Sequence, residues 1–304
     1  MDKTLTAQSE EDLIKIIKLL ASDESKTAKK LLTKIFHIAV KEAYNLVIDT
    51  LISDPRVKVH ANKNEAIQIL CCRNNADHVQ KMLANPKVNP AVNNNECIRA
   101  ACGLGNLNVI NVLLADKRVN PGAKKNKALF GATTYGHHEV VSLLLSHPKV
   151  NPIKHNFNFF VQPCGNGHVE VVKILLADPR LNPDIENNRA IYTAAYANQT
   201  EIIKLLLADS RVDPTINGTN KAINIAILFT QIDAVKLLIP RTNMTTITNP
   251  IIHLIAYQMQ LTNDLSVKDK MIDFMKMNSI EFSINKDDSF TITNSDGYAF
   301  FLKY

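Results

Sequence analysis

Apolar positions along the chain gather into short helical stretches that return at a fixed interval. Glu139-Val140-Val141-Ser142-Leu143-Leu144-Leu145 and Glu170-Val171-Val172-Lys173-Ile174-Leu175-Leu176 each place their apolar residues on one broad helical face. An Asp-Pro step such as Asp178-Pro179 then stops the helix, because the residue before a proline is pushed out of the α region. A shorter apolar stretch precedes each of these, as in Cys97-Ile98-Arg99-Ala100-Ala101-Cys102. It ends at Asn74, Gly105, Gly136, Gly167 or Asn198. Gly and Asn are the residues that tolerate the left-handed conformation just past a helix C-terminus. The pattern predicts pairs of short helices joined by tight turns, and so an all-α fold.

The interval is 31 residues, read from the column Val57, Val88, Val119, Val150, Leu181 and Val212. Arg56, Lys87, Arg118, Lys149, Arg180 and Arg211 stand one residue earlier, and Asp54, Asn85, Asp116, His147, Asp178 and Asp209 three earlier. Pro90, Pro121, Pro152, Pro183 and Pro214 follow two residues after. Several columns in one register define an internal repeat. A single repeat cannot bury its own apolar face, so the repeats must stack.

The segments Gly136 to Val141 and Gly167 to Val172 read Gly-His-x-Glu-Val-Val. With the paired small residues Ala101-Cys102 and Ala194-Ala195 and the Val88-Asn89 step, they make the chain resemble the ankyrin repeat family over roughly residues 33 to 239. The resemblance implies a right-handed α-solenoid of stacked helix pairs that binds another protein through its concave face. Two features depart from the family: the period is 31 rather than about 33, and the Thr-Pro-Leu-His helix start is absent, with only His37 in its histidine position. The short loops argue against regular β-hairpin fingers. The short turn form is similar to ankyrin repeats common in intracellular bacteria, giant viruses and protists. That likeness implies a cytoplasmic adaptor, acting in its own cell or as an effector in a host cell.

Three segments follow from the columns. Residues 1–32 read as a capping helix or half repeat, begun by Ser9-Glu10-Glu11-Asp12. Residues 33–277 hold seven helix pairs and a degenerate eighth, the seventh shifted by one residue near Gly218. In residues 278–304 the period changes to alternation at Ile280, Phe282 and Ile284 and again at Phe290 and Ile292, which predicts a small β-hairpin ahead of an aromatic tail. This segment reads as a cap over the last repeat. The second reading, a targeting module for an activity in the tail or in a longer parent chain, asks much of so short a segment.

Composition narrows the function classes. No apolar run approaches the ~20 residues of a membrane span, and the polar start does not read as a secretory signal. The five cysteines lack a CxxC or framework spacing, which points to a reducing compartment. Cys71, Cys102 and Cys164 share one column with Thr133 and Ala195, so they read as small packing residues. No metal-ligand or nucleophile spacing is present, which predicts no enzymatic activity, no cofactor and no metal. His137 and His168 are expected to bond loop backbone. A net charge of +6 permits an acidic partner. The basic column invites a nucleic-acid reading, but the Asp two residues before the base in most turns argues that local, exposed pairs neutralise it. The expected partner is a protein, bound by a monomer that does not enter a membrane.

Aromatics mark the candidate surface. None occurs between Asn45 and Leu129, after which Phe130, Tyr135, Phe157, Phe159, Phe160, Tyr192 and Tyr196 all fall in or just before first helices. Phe160 sits in the core column. Phe157 replaces Asn95, Asn126 and Asn188 at a position read as an exposed loop site, and Phe130 and Tyr192 share the column of Arg99. The predicted partner-binding residues are Lys124, Phe130, Tyr135, Lys154, His155, Phe157, Glu186, Tyr192 and Tyr196. Pro163, where other repeats carry Ala, is expected to distort or shorten its helix.

Overall fold

The computed structural model describes residues 9–153, 159–215, 221–229, 231–238, 269, 272, 281–284, 290–293 and 299–302. The chain divides into two compact units, Met1–Phe157 and Asn158–Tyr304. The first contains α1 (Glu10–Leu19), α2 (Lys26–Glu42), α3 (Asn45–Leu51), α4 (Ala61–Cys72), α5 (Ala76–Leu83), α6 (Val92–Leu104), α7 (Leu107–Ala115), α8 (Ala123–Thr134) and α9 (His138–Ser146). Helices α2, α4, α6 and α8 pack side by side in one row, each against the partner that follows it, and α5 packs on α7 in a second row. The second unit repeats this plan with α10 (Val161–Asn166), α12 (Ile185–Tyr196) and α14 (Lys221–Leu228) in one row and α11 (Val169–Ala177), α13 (Thr200–Ala208) and α15 (Ile232–Leu238) in the other. Seven helix pairs lie among the described residues, preceded by α1. Ser9 caps α1 by accepting from the backbone N–H of Asp12, as the sequence predicts.

The core is made by columns. Ile67, Ile98, Leu129, Ile191 and Ile223 are buried, as is the small column Cys71, Cys102, Thr133, Cys164 and Ala195. Each fully buried Leu or Ile contributes about 1.5–3 kcal/mol relative to exposure. All described cysteines are free thiols, and burial pushes the Cys102 and Cys164 thiols up. They act as small hydrophobes.

Four of the first helices, α4, α6, α8 and α12, open on a left-handed turn. In α6, Asn93, Asn94 and Asn95 all have positive φ (52°, 57° and 62°), and the same occurs at Asn62–Asn64, Lys124–Asn126 and Glu186–Asn188. Asn tolerates this region better than most residues, which explains the Asn-rich run at the same place in each repeat. No β-finger forms there among the described residues. At the other end, Gly105, Gly136 and Gly167 have φ of 71°, 80° and 79°, with Asn74 and Asn198 in the same region. The predicted C-cap column is therefore correct.

Helix α10 spans only Val161–Asn166, and Pro163 lies in its first turn. A first-turn N–H has no intrahelical acceptor, so the missing donor costs nothing there. The helix is shortened as expected, while its Gly167 cap remains intact. At the C-terminus β1 (Glu281–Ile284) and β2 (Phe290–Thr293) form the expected antiparallel hairpin, with Ile284 opposite Phe290. The aromatic tail adds a third strand, β3 (Ala299–Leu302), which pairs with β2. The degenerate eighth helix pair lies outside the described residues, except for 269 and 272.

Candidate partner-binding face

Most regularly placed polar side chains bind the repeats to each other. The Asp116 carboxylate accepts from the Arg118 backbone N–H (2.9 Å), from Nε (2.9 Å) and from Nη2 (2.6 Å). Arg118 Nη1 then donates to the carbonyl of Val88, one repeat earlier, at 2.7 Å. Arg56 reaches the Leu20 carbonyl and Arg211 the Leu181 carbonyl in the same way. Lys149 spans to the carbonyls of Lys117 and Val119. Arg56, Arg118, Arg180 and Arg211 are thus each neutralised by the Asp two residues before, as the sequence suggests, whereas Lys149 meets carbonyls. The reading of these contacts as exposed pairs needs correction. The carboxylates of Asp54, Asp116, Asp178 and Asp209 are largely shielded, and the Arg bonds hold them below the usual carboxylate range. Each pair is a charge-assisted clamp on a turn, stronger than a solvated surface pair.

A second correction concerns the asparagine column. Asn95, Asn126 and Asn188 are 9%, 2% and 4% exposed, not exposed loop residues. The Asn95 side-chain oxygen accepts from the Asn120 N–H at 2.7 Å, and the Asn126 amide donates to the Asn151 carbonyl at 2.6 Å. Asn188 donates to the carbonyl of Asp213. The column ties each left-handed turn to the next repeat, and the sequence argument for an exposed Phe157 loses its basis. A third set covers helix ends: His137 Nε2 bonds the Gly103 carbonyl at 3.0 Å, and Asn106 donates to the Cys71 carbonyl at 2.9 Å. The backbone-bonding role expected of His137 is the one it performs.

One face of the first helices presents side chains that are largely outside this bonding to the next repeat. Between α6 and α8, Glu96, Arg99, Ala100 and Gly103 face Lys127, Phe130, Gly131, Thr134 and Tyr135 across an open groove of about 270 Å³. Gly131 and Gly103 set the groove's narrow floor, since a Cβ on Gly131 would stand 3.3 Å from the Gly103 Cα. In the second unit Tyr192 of α12 and Lys221, Asn224, Ile225 and Leu228 of α14 line a groove of about 240 Å³. Once the one-residue shift is counted, both grooves use the same repeat positions.

The predicted site residues fall on this plan as follows. Phe130 and Tyr135 line the first groove, Tyr135 being 66% exposed. Tyr192 lines the second, and Tyr196, 47% exposed, meets the Phe229 ring edge-on at 4.7 Å. Lys124 and Glu186 are exposed on left-handed turns, with Glu186 paired to Arg189 at 3.4 Å. Lys154, His155 and Phe157 lie outside the described residues. Phe159, in the same aromatic run, is buried like Phe160. Sequence reading missed exposed Phe229 and Leu228. Counting the shift would have put Phe229 in the column of Leu104 and Tyr135.

The family description for ankyrin repeats in three copies matches residues 69–156, 98–187 and 160–248, together more than half of the chain. The chain belongs to the ankyrin repeat family. No curated protein matches it. Ankyrin repeats are generally protein–protein interaction modules, and the family is typically non-enzymatic. In this ankyrin chain no cluster of three or more His, Cys, Asp or Glu among the described residues is placed to hold a metal ion. No described helix is long and apolar enough to cross a membrane.

Proposed function

We propose that the chain is a binding adaptor that holds a protein partner against the open face of its first helices, through the grooves lined by Phe130 and Tyr135 and by Tyr192 and Leu228. The supporting observation is how residue variety is distributed within this one chain. Columns that bond the next repeat barely change, with Arg or Lys in the clamp and Asn in the left-handed turn. The groove column instead reads Gln68, Arg99, Phe130, Val161, Tyr192 and Asn224, and its neighbour Cys72, Gly103, Thr134, Gly165, Tyr196 and Leu228. Stacking demands the same bond in every repeat, whereas a face that stacking leaves free can be shaped to one partner. Half-exposed aromatics there match the residues that anchor interfaces.

The test is quantitative capture from cell lysate with the full chain, comparing wild type with Phe130→Ala/Tyr135→Ala and with Tyr192→Ala/Tyr196→Ala. Circular dichroism melting controls for folding. A protein retained by the wild type and lost from the folded groove variants supports the reading. Equal retention by all three sinks it.

A further inference from the structure

The charge around the α6/α8 groove specifies what fits it. Residues 116–127 contain Lys117, Arg118, Lys124, Lys125 and Lys127 against the single acid Asp116. Asp116 is consumed by the Arg118 clamp. Lys124, Lys125 and Lys127 are exposed, and none of the three forms an ion pair among the described residues. The equivalent acids in the two preceding repeats are already satisfied: Glu96 pairs with Arg99 and Glu65 with Lys41 at 2.9 Å. Arg99 is also fixed by the carbonyls of Asn93 and Asn94, both at 3.1 Å, so it is not available to a ligand. Unspent positive charge therefore gathers at the N-terminal end of α8. The positive N-terminus of the helix adds to it. The rest of the groove, past Ala100, Gly103, Gly131 and Phe130 to Tyr135, is largely apolar.

Resting on the adaptor reading, we infer that this groove binds an acidic peptide segment of the partner, whose carboxylates meet Lys124, Lys125 and Lys127 while an apolar side chain fills the space between Phe130 and Tyr135. Lys127 and Tyr135 bracket about 12 Å of helix at 1.5 Å per residue, so the acidic and apolar parts of the ligand lie about that far apart. A nucleic-acid backbone fits less well. It needs a run of cations matched to successive phosphates, and here the row of lysines gives way to Glu96 and Glu65 in the two preceding repeats. Three screened contacts at this surface carry roughly tenfold or more in affinity together.

The experiment titrates the full chain with labelled peptides of about 12 residues that carry an Asp/Glu run at one end and Leu-Phe at the other. Matched peptides replace the acids by Asn/Gln or the Leu-Phe by Ala, and an oligo(U) RNA serves as the second polyanion. The acidic-apolar peptide should bind at least about tenfold more tightly than either control. Lys124→Glu/Lys125→Glu/Lys127→Glu should reverse the preference toward a Lys/Leu-Phe peptide, a gain that a misfolded variant cannot show. Equal binding of the neutral peptide, or preference for the RNA, overturns the inference. If no peptide is preferred while the groove variants still lose a lysate partner, the inference fails and the adaptor reading stands. If those variants also keep every partner, both fail.

Discussion

Asn95 does two things at once: it adopts a left-handed backbone and it accepts the Asn120 N–H from the following repeat. Two substitutions separate these roles. Asn95→Gly keeps the backbone free and removes only the bond, so it should cost about 1–2 kcal/mol, as for a buried N–H left unpaired. Asn95→Ala adds the left-handed penalty and should lose about another 1 kcal/mol or more in chemical denaturation. Protonation offers a second check at this scale. The folded Asp54, Asp116, Asp178 and Asp209 carboxylates titrate below the ordinary 3.8, held down first by their Arg side-chain bonds. Their contribution is therefore complete above about pH 4 and is lost as pH falls through the folded values. Burial depresses His37 below 6.5, with Glu65 opposing that shift and Lys41 reinforcing it. Folding disfavours the charged imidazole, so a first decline in stability begins as pH drops past about 6.5. Denaturation midpoints measured from pH 8 to 3 should show both descents. Asp116→Asn should flatten part of the lower one and His37→Leu the upper one. The clamps were legible because Asp and Arg recur two residues apart. The asparagine column was visible too, but its burial was not, because Asn-rich runs also mark solvated loops.

At the scale of the helix, the sequence showed where each first helix stops but not what its cap makes room for. A Cβ on Gly105 would lie 2.5 Å from the His137 ring of the next repeat, at a backbone φ of 71°. Gly105→Ala therefore combines a left-handed penalty of about 1–2 kcal/mol with overpacking of about 1–3 kcal/mol. Urea unfolding should show a loss beyond about 2 kcal/mol, and a shift under 0.5 kcal/mol would mean that the close approach is relieved cheaply. Helix pairs, caps and the shortened α10 could all be read from periodicity, Gly and Pro, because these act locally. The left-handed opening turn could not. Its third residue is held by a partner 25 positions away, a contact that local periodicity does not reveal.

Across the molecule, one economy explains why the candidate site was only partly legible. The polar residues that recur in register are used between repeats, whereas the residues available to a partner are those that fail to recur. A search for regularity therefore finds the scaffold, and the groove emerges once the columns are placed on helices. Phe130, Tyr135, Tyr192 and Tyr196 stood out because aromatics are rare in the first 129 residues. Phe229 was hidden by a one-residue shift in register. The central claim is that the open face of the first helices is the working surface. The most direct measurement is site-specific photo-crosslinking in cells, with a benzophenone amino acid placed at Tyr135, at Tyr192 or at exposed Ser142 on α9. The account predicts a common crosslinked protein from Tyr135 or Tyr192 and none of it from Ser142. A partner crosslinked from Ser142 but from neither groove position would contradict it.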